Sequence, residues 1–170
     1  MALTKEQIKD FKEQEKEAEN SSQFREVAHQ IAEAGDKKWA KKLFKQAEKN
    51  AECSVDDCSV DLVNLADRIF DNLGDKEWIK ILYGKAEEKA EVTTEFKCLA
   101  ENICEKLGDN EWSKNIYKKA ENKAEDSWDF VGLADSIIKH LEDKDFAKKI
   151  YKKAEEIAKD LGVSLEINWL

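Results

Sequence analysis

Apolar residues along this chain recur at helical spacing. Phe96, Leu99, Ala100, Ile103 and Leu107 lie three or four positions apart, and Trp112, Ile116, Tyr117, Ala120 and Ala124 do the same. Such spacing lays an apolar stripe down one face of a helix, with polar residues opposite. Gly108 and Asp109 separate the two stripes. Glycine allows the left-handed residue that ends one helix, and aspartate can cap the start of the next. The segment therefore predicts a helical hairpin.

The hairpin repeats. LGDKEW at Leu73–Trp78 returns 34 residues later as LGDNEW at Leu107–Trp112 and again, 34 residues on, as LEDKDF at Leu141–Phe146. A looser copy, AGDKKW, lies at Ala34–Trp39, and five extra residues separate it from the second copy. Each turn is followed by LFKQAE, LYGKAE or IYKKAE, from Leu43, Leu82, Ile116 and Ile150, and is preceded by Val27-Ala28, Leu65-Ala66, Leu99-Ala100 or Leu133-Ala134. Glu142 stands where the other copies have the turn glycine, which predicts either a slightly different turn or backbone strain of about 1 kcal/mol there.

The pattern predicts a leading helix near 4–19 and then four pairs, A and B, at 22–34 and 36–51, 59–73 and 75–90, 94–107 and 109–124, 127–141 and 143–160. Ser22, Ser59, Thr94 and Ser127 are the candidate N-caps of the A helices. The fold class expected is all-α, an α-solenoid of four helix-turn-helix repeats in one domain over 1–170. Residues 1–21 would form an N-terminal cap through Ile8, Phe11 and Ala18; repeats would span 22–51, 59–91, 94–124 and 127–160. A tail at 161–170, with Val163, Leu165, Ile167 and Trp169, would cover the last hairpin. Each hairpin leaves one apolar face that only a neighbour can bury, so such units stack and need covered ends.

Composition sharpens this picture in two respects. The absence of proline and the presence of only six glycines in 170 residues favour long helices joined by tight turns. A net charge of −9 repels polyphosphate, and among 29 basic residues only Arg25 and Arg68 carry the planar fork that grips phosphate in two places, so no nucleic-acid partner is expected. The amino-terminal MALTKEQIKDFKEQ has no apolar core of a secretory signal and nothing approaches a spanning length, which predicts a cytoplasmic protein with no membrane partner. In that compartment Cys53, Cys58, Cys98 and Cys104 are expected as free thiols.

The period of 34, the glycines at the turn (Gly35, Gly74, Gly108) and the row of aromatics and alanines that follows (Phe44, Tyr83, Tyr117 and Tyr151, then Ala47, Ala86, Ala120 and Ala154) resemble the tetratricopeptide repeat over residues 22 to 160. The chain departs from that pattern in lacking the proline that closes each repeat, in carrying Leu-Ala where the pattern has Leu-Gly one position over, and in placing Ile79 and Ser113 after the turn. The resemblance implies a divergent relative whose A helices line a concave groove and whose function is the binding of peptides or proteins.

Residues that recur in every copy are explained by packing, which sets aside Trp39, Trp78, Trp112 and the tyrosines. Cys53 and Cys58 with Asp56 and Asp57 between them superficially suggest a metal site, but zinc wants a second ligand pair and none follows. His29 and His140 lie 111 residues apart and are expected on the surface. No catalytic, metal or cofactor centre is predicted. Counted to residue 159, the B helices carry 20 basic and 13 acidic residues and the A helices 5 and 10, so the resemblance implies an acidic groove and a lysine-rich back. Partner-binding candidates on the A helices are Arg25, His29, Asn64, Asp67, Arg68, Asp71, Glu101, Asn102, Glu105, Asp135 and Lys139. They predict a non-enzymatic scaffold for a protein or peptide, a basic peptide among the candidates, in a monomer or weak homo-oligomer; self-assembly is the alternative.

Overall fold

In a computed structural model of the chain, residues 3–52 and 58–162 are described. The expectations for Cys53, Asp56 and Asp57, and for the tail residues Val163, Leu165, Ile167 and Trp169, lie outside the described residues. Among the described residues the chain is all-helical and divides into two compact units, Met1–Lys89 and Ala90–Leu170. No helix among them is long and apolar enough to cross a membrane.

The first unit holds α1 (Lys5–Glu17), α2 (Ser21–Glu33), α3 (Lys37–Glu52), α4 (Cys58–Leu73) and α5 (Lys76–Lys89). Helices α2 and α3 form one hairpin and α4 and α5 a second; α3 packs on α4, and α2 runs beside α4. The second unit holds α6 (Thr93–Asn102), which continues into a π-helical turn at Ile103–Leu107, then α7 (Asn110–Lys123), α8 (Ser127–Leu141) and α9 (Lys144–Asp160). It repeats the scheme, α6 with α7 and α8 with α9. The packing of neighbouring helices is thus that of paired hairpins.

The apolar stripes are what the hairpins bury. Leu43, Phe44, Ile79, Leu82 and Tyr83 in the first unit are at most 1% exposed, and Leu99, Ile103, Ile116 and Tyr117 in the second are wholly covered. Each such side chain contributes about 1.5–3 kcal/mol on leaving water. Helix α1 is the exception, with no buried residue.

All four B helices start alike. Asp36, Asp75, Asp109 and Asp143 each accept the backbone N–H of the aromatic three residues on, at 2.9, 3.2, 3.0 and 3.0 Å, satisfying a donor that the first helical turn leaves open. The A-helix starts differ from expectation. Asn20 caps α2 and Asp126 caps α8, while at α6 the Glu95 carboxylate reaches back to the N–H groups of Glu91 and Val92. Ser22, Thr94 and Ser127 are not the caps, because these helices begin one or two residues earlier; Ser21, Ser59, Thr93 and Ser127 are instead buried in the first turn. Glu142 has φ 54°, in the left-handed region that Gly74 and Gly108 occupy at 67° and 69° in the equivalent turns.

Candidate functional site

In the first unit the outward faces of α2 and α4 enclose a cleft of about 340 Å³. Its walls bring together five of the residues singled out from sequence, Arg25, Asn64, Asp67, Arg68 and Asp71, and add Ser22 and Glu26. The spacing explains the convergence: positions 22, 25 and 26 on α2, and 64, 67, 68 and 71 on α4, are three or four apart and share one face of each helix. Both arginines of the entire chain therefore stand in one cleft with three carboxylates.

Among the described residues neither arginine is held by a close carboxylate fork. Arg25 Nη1 lies 3.6 Å from Asp61 Oδ1 and Arg68 Nη2 lies 3.7 Å from Glu26 Oε2, balancing charge beyond good hydrogen-bond distance. Arg25 is largely buried, its side chain 16% exposed, and its Nη2 donates to Ser22 Oγ at 3.4 Å. Its Nη1, with Ser21 Oγ and Ser59 Oγ, is buried without a hydrogen-bond partner. Asp67 accepts from the Tyr83 hydroxyl at 3.2 Å, which fixes one carboxylate from behind. His29 turns away from the cleft: its Nδ1 lies 3.1 Å from Asn72 Oδ1 and its Nε2 3.7 Å from Glu33.

In the second unit the corresponding residues are engaged with the hairpins themselves. Ser136 donates to Glu101 at 2.6 Å, and Tyr117 joins Ser136 at 2.8 Å. Asp135 accepts from the Tyr151 hydroxyl, whose acidity burial pushes down, its pKa raised to about 12. Asn102 bonds back to the Cys98 carbonyl at 3.0 Å, and Lys139 is exposed. Glu105 pairs with His140 Nδ1 at 3.2 Å. His140 is thus not the surface histidine that was expected: its side chain is only 6% exposed. The π-helical turn presents Cys104 and Glu105 to the end of α8, where the Cys104 thiol donates to the His140 carbonyl at 3.0 Å. Burial, and then the neighbouring Glu105 charge, raise the Cys104 thiol's pKa, which makes it a poor nucleophile.

A larger cavity of about 600 Å³ lies between α1 and the α2–α3 turn and is lined in part by Trp39, a residue the repeat pattern assigns to packing alone. Comparison with models of known protein families, with curated proteins and with solved structures finds no match for the chain.

Proposed function

We propose that this chain is a non-enzymatic scaffold that holds a basic, extended peptide or protein segment against its A helices, its hairpins following one another as a divergent tetratricopeptide-like solenoid. The observation that carries the reading is the cleft between α2 and α4, where Arg25, Arg68 and Asn64 offer donors and Glu26, Asp67 and Asp71 offer carboxylates within one concavity. Peptide backbone carbonyls suit the donors, and a lysine or arginine of the partner suits the carboxylates, which outnumber the arginines by one. Titration calorimetry with lysine- and arginine-rich peptides at low and high salt tests it. Asp71→Lys should weaken binding by about tenfold, as charge reversal at a partly exposed contact does. Salt-insensitive binding, or equal affinity in that variant, would reject the proposal.

Self-assembly is supported by a different feature, the exposure of Trp128 (68%) and Val92 (53%) in the second unit. Sedimentation over a range of concentrations decides it, since a strict monomer throughout removes that reading.

A further inference from the structure

One arrangement of residues binds an ammonium group twice within this chain. In the first unit Lys41 Nζ lies 2.9 Å from Asp75 Oδ2 and 5.5 Å from the centre of the Trp78 ring. In the second, Lys114 Nζ lies 2.5 Å from Asp143 Oδ2 and 5.7 Å from the Phe146 ring. Each lysine comes from one B helix; each aspartate caps the next B helix in its unit, and each ring stands three residues after that cap. Carboxylate and ring face attract the same cation together. Both aspartates are correspondingly held below the ordinary carboxylate pKa, first by the lysine bond and then by the capped N–H.

The first hairpin has the same aspartate and the same ring, Asp36 and Trp39. The helix that precedes it is α1, and two matching bonds set the register: Trp39 Nε1 donates to Glu15 as Trp78 Nε1 donates to Glu48, both at 2.9 Å. Each glutamate also accepts from a lysine of the following B helix, though from different positions: Lys42, three residues after Trp39, and Lys85, seven after Trp78. Lys41 lies two helical turns before Glu48, and the residue two turns before Glu15 is Ile8. An isoleucine therefore stands where the other two joints have their lysine. Among the described residues no lysine or arginine pairs with Asp36, whose Oδ1 caps Trp39, and beside it opens the cavity of about 600 Å³ bordered by Leu3, Ile8, Asp36 and Trp39. That volume falls within the roughly 300–1,000 Å³ of ligand pockets.

We propose that this cavity binds a lysine side chain of a partner protein, its ammonium between the Asp36 carboxylate and the Trp39 ring and its alkyl stem along Ile8 and Leu3. The partner supplies in trans what Lys41 and Lys114 supply within the chain. Phe11 stands edge-on to Trp39, ring centres 6.1 Å apart at 84°, and with the Glu15 bond fixes the indole in place. Two lysines also border the cavity. Lys42 is neutralised by Glu15 at 3.1 Å; Lys12 is exposed, and it is the charge against which the incoming lysine competes. This site is separate from the cleft between α2 and α4, and it stands or falls independently of the function proposed for that cleft.

The test uses the full chain labelled with nitrogen-15 and follows the Trp39 indole N–H resonance, assigned as the peak lost in Trp39→Phe. The probes are Nα-acetyl-lysine N-methylamide and its uncharged Nε-acetyl counterpart. The charged probe should shift the Trp39 resonance saturably, and the neutral one should not. Asp36→Asn keeps a good capping residue but removes the charge, and it should weaken binding by about tenfold or more. Lys12→Ala should tighten it. Ile8→Lys should abolish it, because the new lysine builds the third internal joint. No saturable shift at Trp39, an equal shift with the neutral probe, or undiminished binding in Asp36→Asn would overturn the proposal.

Discussion

Removing the hydroxyl of Ser136 should cost more than removing that of Tyr117, although the two bond each other. Glu101 can only accept, so the single proton of Ser136 Oγ is committed to it at 2.6 Å, and Tyr117 must be the donor in the 2.8 Å bond to Ser136. The chain of donation runs from tyrosine to serine to glutamate. Tyr117→Phe deletes a donor whose acceptor keeps its other bond, and should cost the net value of one neutral hydrogen bond, about 1 kcal/mol. Ser136→Ala instead leaves the Tyr117 hydroxyl, in a residue with no exposed surface, facing only the Ser136 carbonyl at 3.5 Å. An orphaned buried donor costs about 1–3 kcal/mol, from which the better helix propensity of alanine returns about 0.5 kcal/mol. The double variant leaves no orphaned hydroxyl, so it should be less destabilised than the sum of the singles by about 1 kcal/mol. Urea unfolding followed by circular dichroism measures all three, and in thermal melts about 1 kcal/mol corresponds to roughly 2–4 °C for a chain of this size. Equal costs for the two single variants, together with strict additivity in the double, would refute the assigned direction of donation.

Three further outcomes follow from backbone and charge. Glu142→Gly should raise the melting temperature, because relief of a left-handed φ of 54° recovers about 1 kcal/mol and the added freedom of the unfolded chain takes back only part of it. Asp75 and Asp143 have folded pKa values below the ordinary 3.8, chiefly through their lysine bonds, so their stabilisation is complete above that pH and is lost as pH falls through the depressed values. Melting temperatures recorded from about pH 5 to about pH 2 should drop less steeply in Asp143→Asn, which retains a cap but has no acid to protonate. Tyr151 is raised from 10.0 to about 12, first by burial and then by its bond to Asp135, so its contribution is intact below pH 10 and lost as pH rises through about 12. Titration of phenolate absorbance should show Tyr151→Phe losing the ionisation near pH 12, while the still later ionisation of the buried Tyr117 remains.

The helices were legible because their signals are local. Stripes at three- and four-residue spacing, the turn glycines and the aspartates after them place every B helix within one or two residues of its observed start, and all four capping bonds form as the spacing predicts. The A-helix caps were not legible in the same way. Asn20, Ser21 and Ser22 are successive residues that can each cap; Asn20 does so, and Ser21 is buried in the first turn. His140 marks the limit of local reading. Its surroundings come from Cys104 and Glu105, more than thirty residues earlier, and from a π-helical turn that nothing in the apolar pattern announces.

Repetition also explains why the two candidate sites differed in legibility. The cleft between α2 and α4 was within reach of the sequence because its residues break the repeat: the only two arginines of the chain fall on it. The cavity beside Trp39 was not, since Asp36 and Trp39 recur in other copies and recurrence argues for packing. Recurrence, however, assigns a role to a position only while its neighbour recurs too. Where Lys41 and Lys114 complete the arrangement, the aspartate and the ring are consumed by the fold. At α1 the repeat supplies Glu15 and Phe11 but puts Ile8 at the lysine position, so a pair of residues selected for packing elsewhere is left with its cation-binding chemistry unspent.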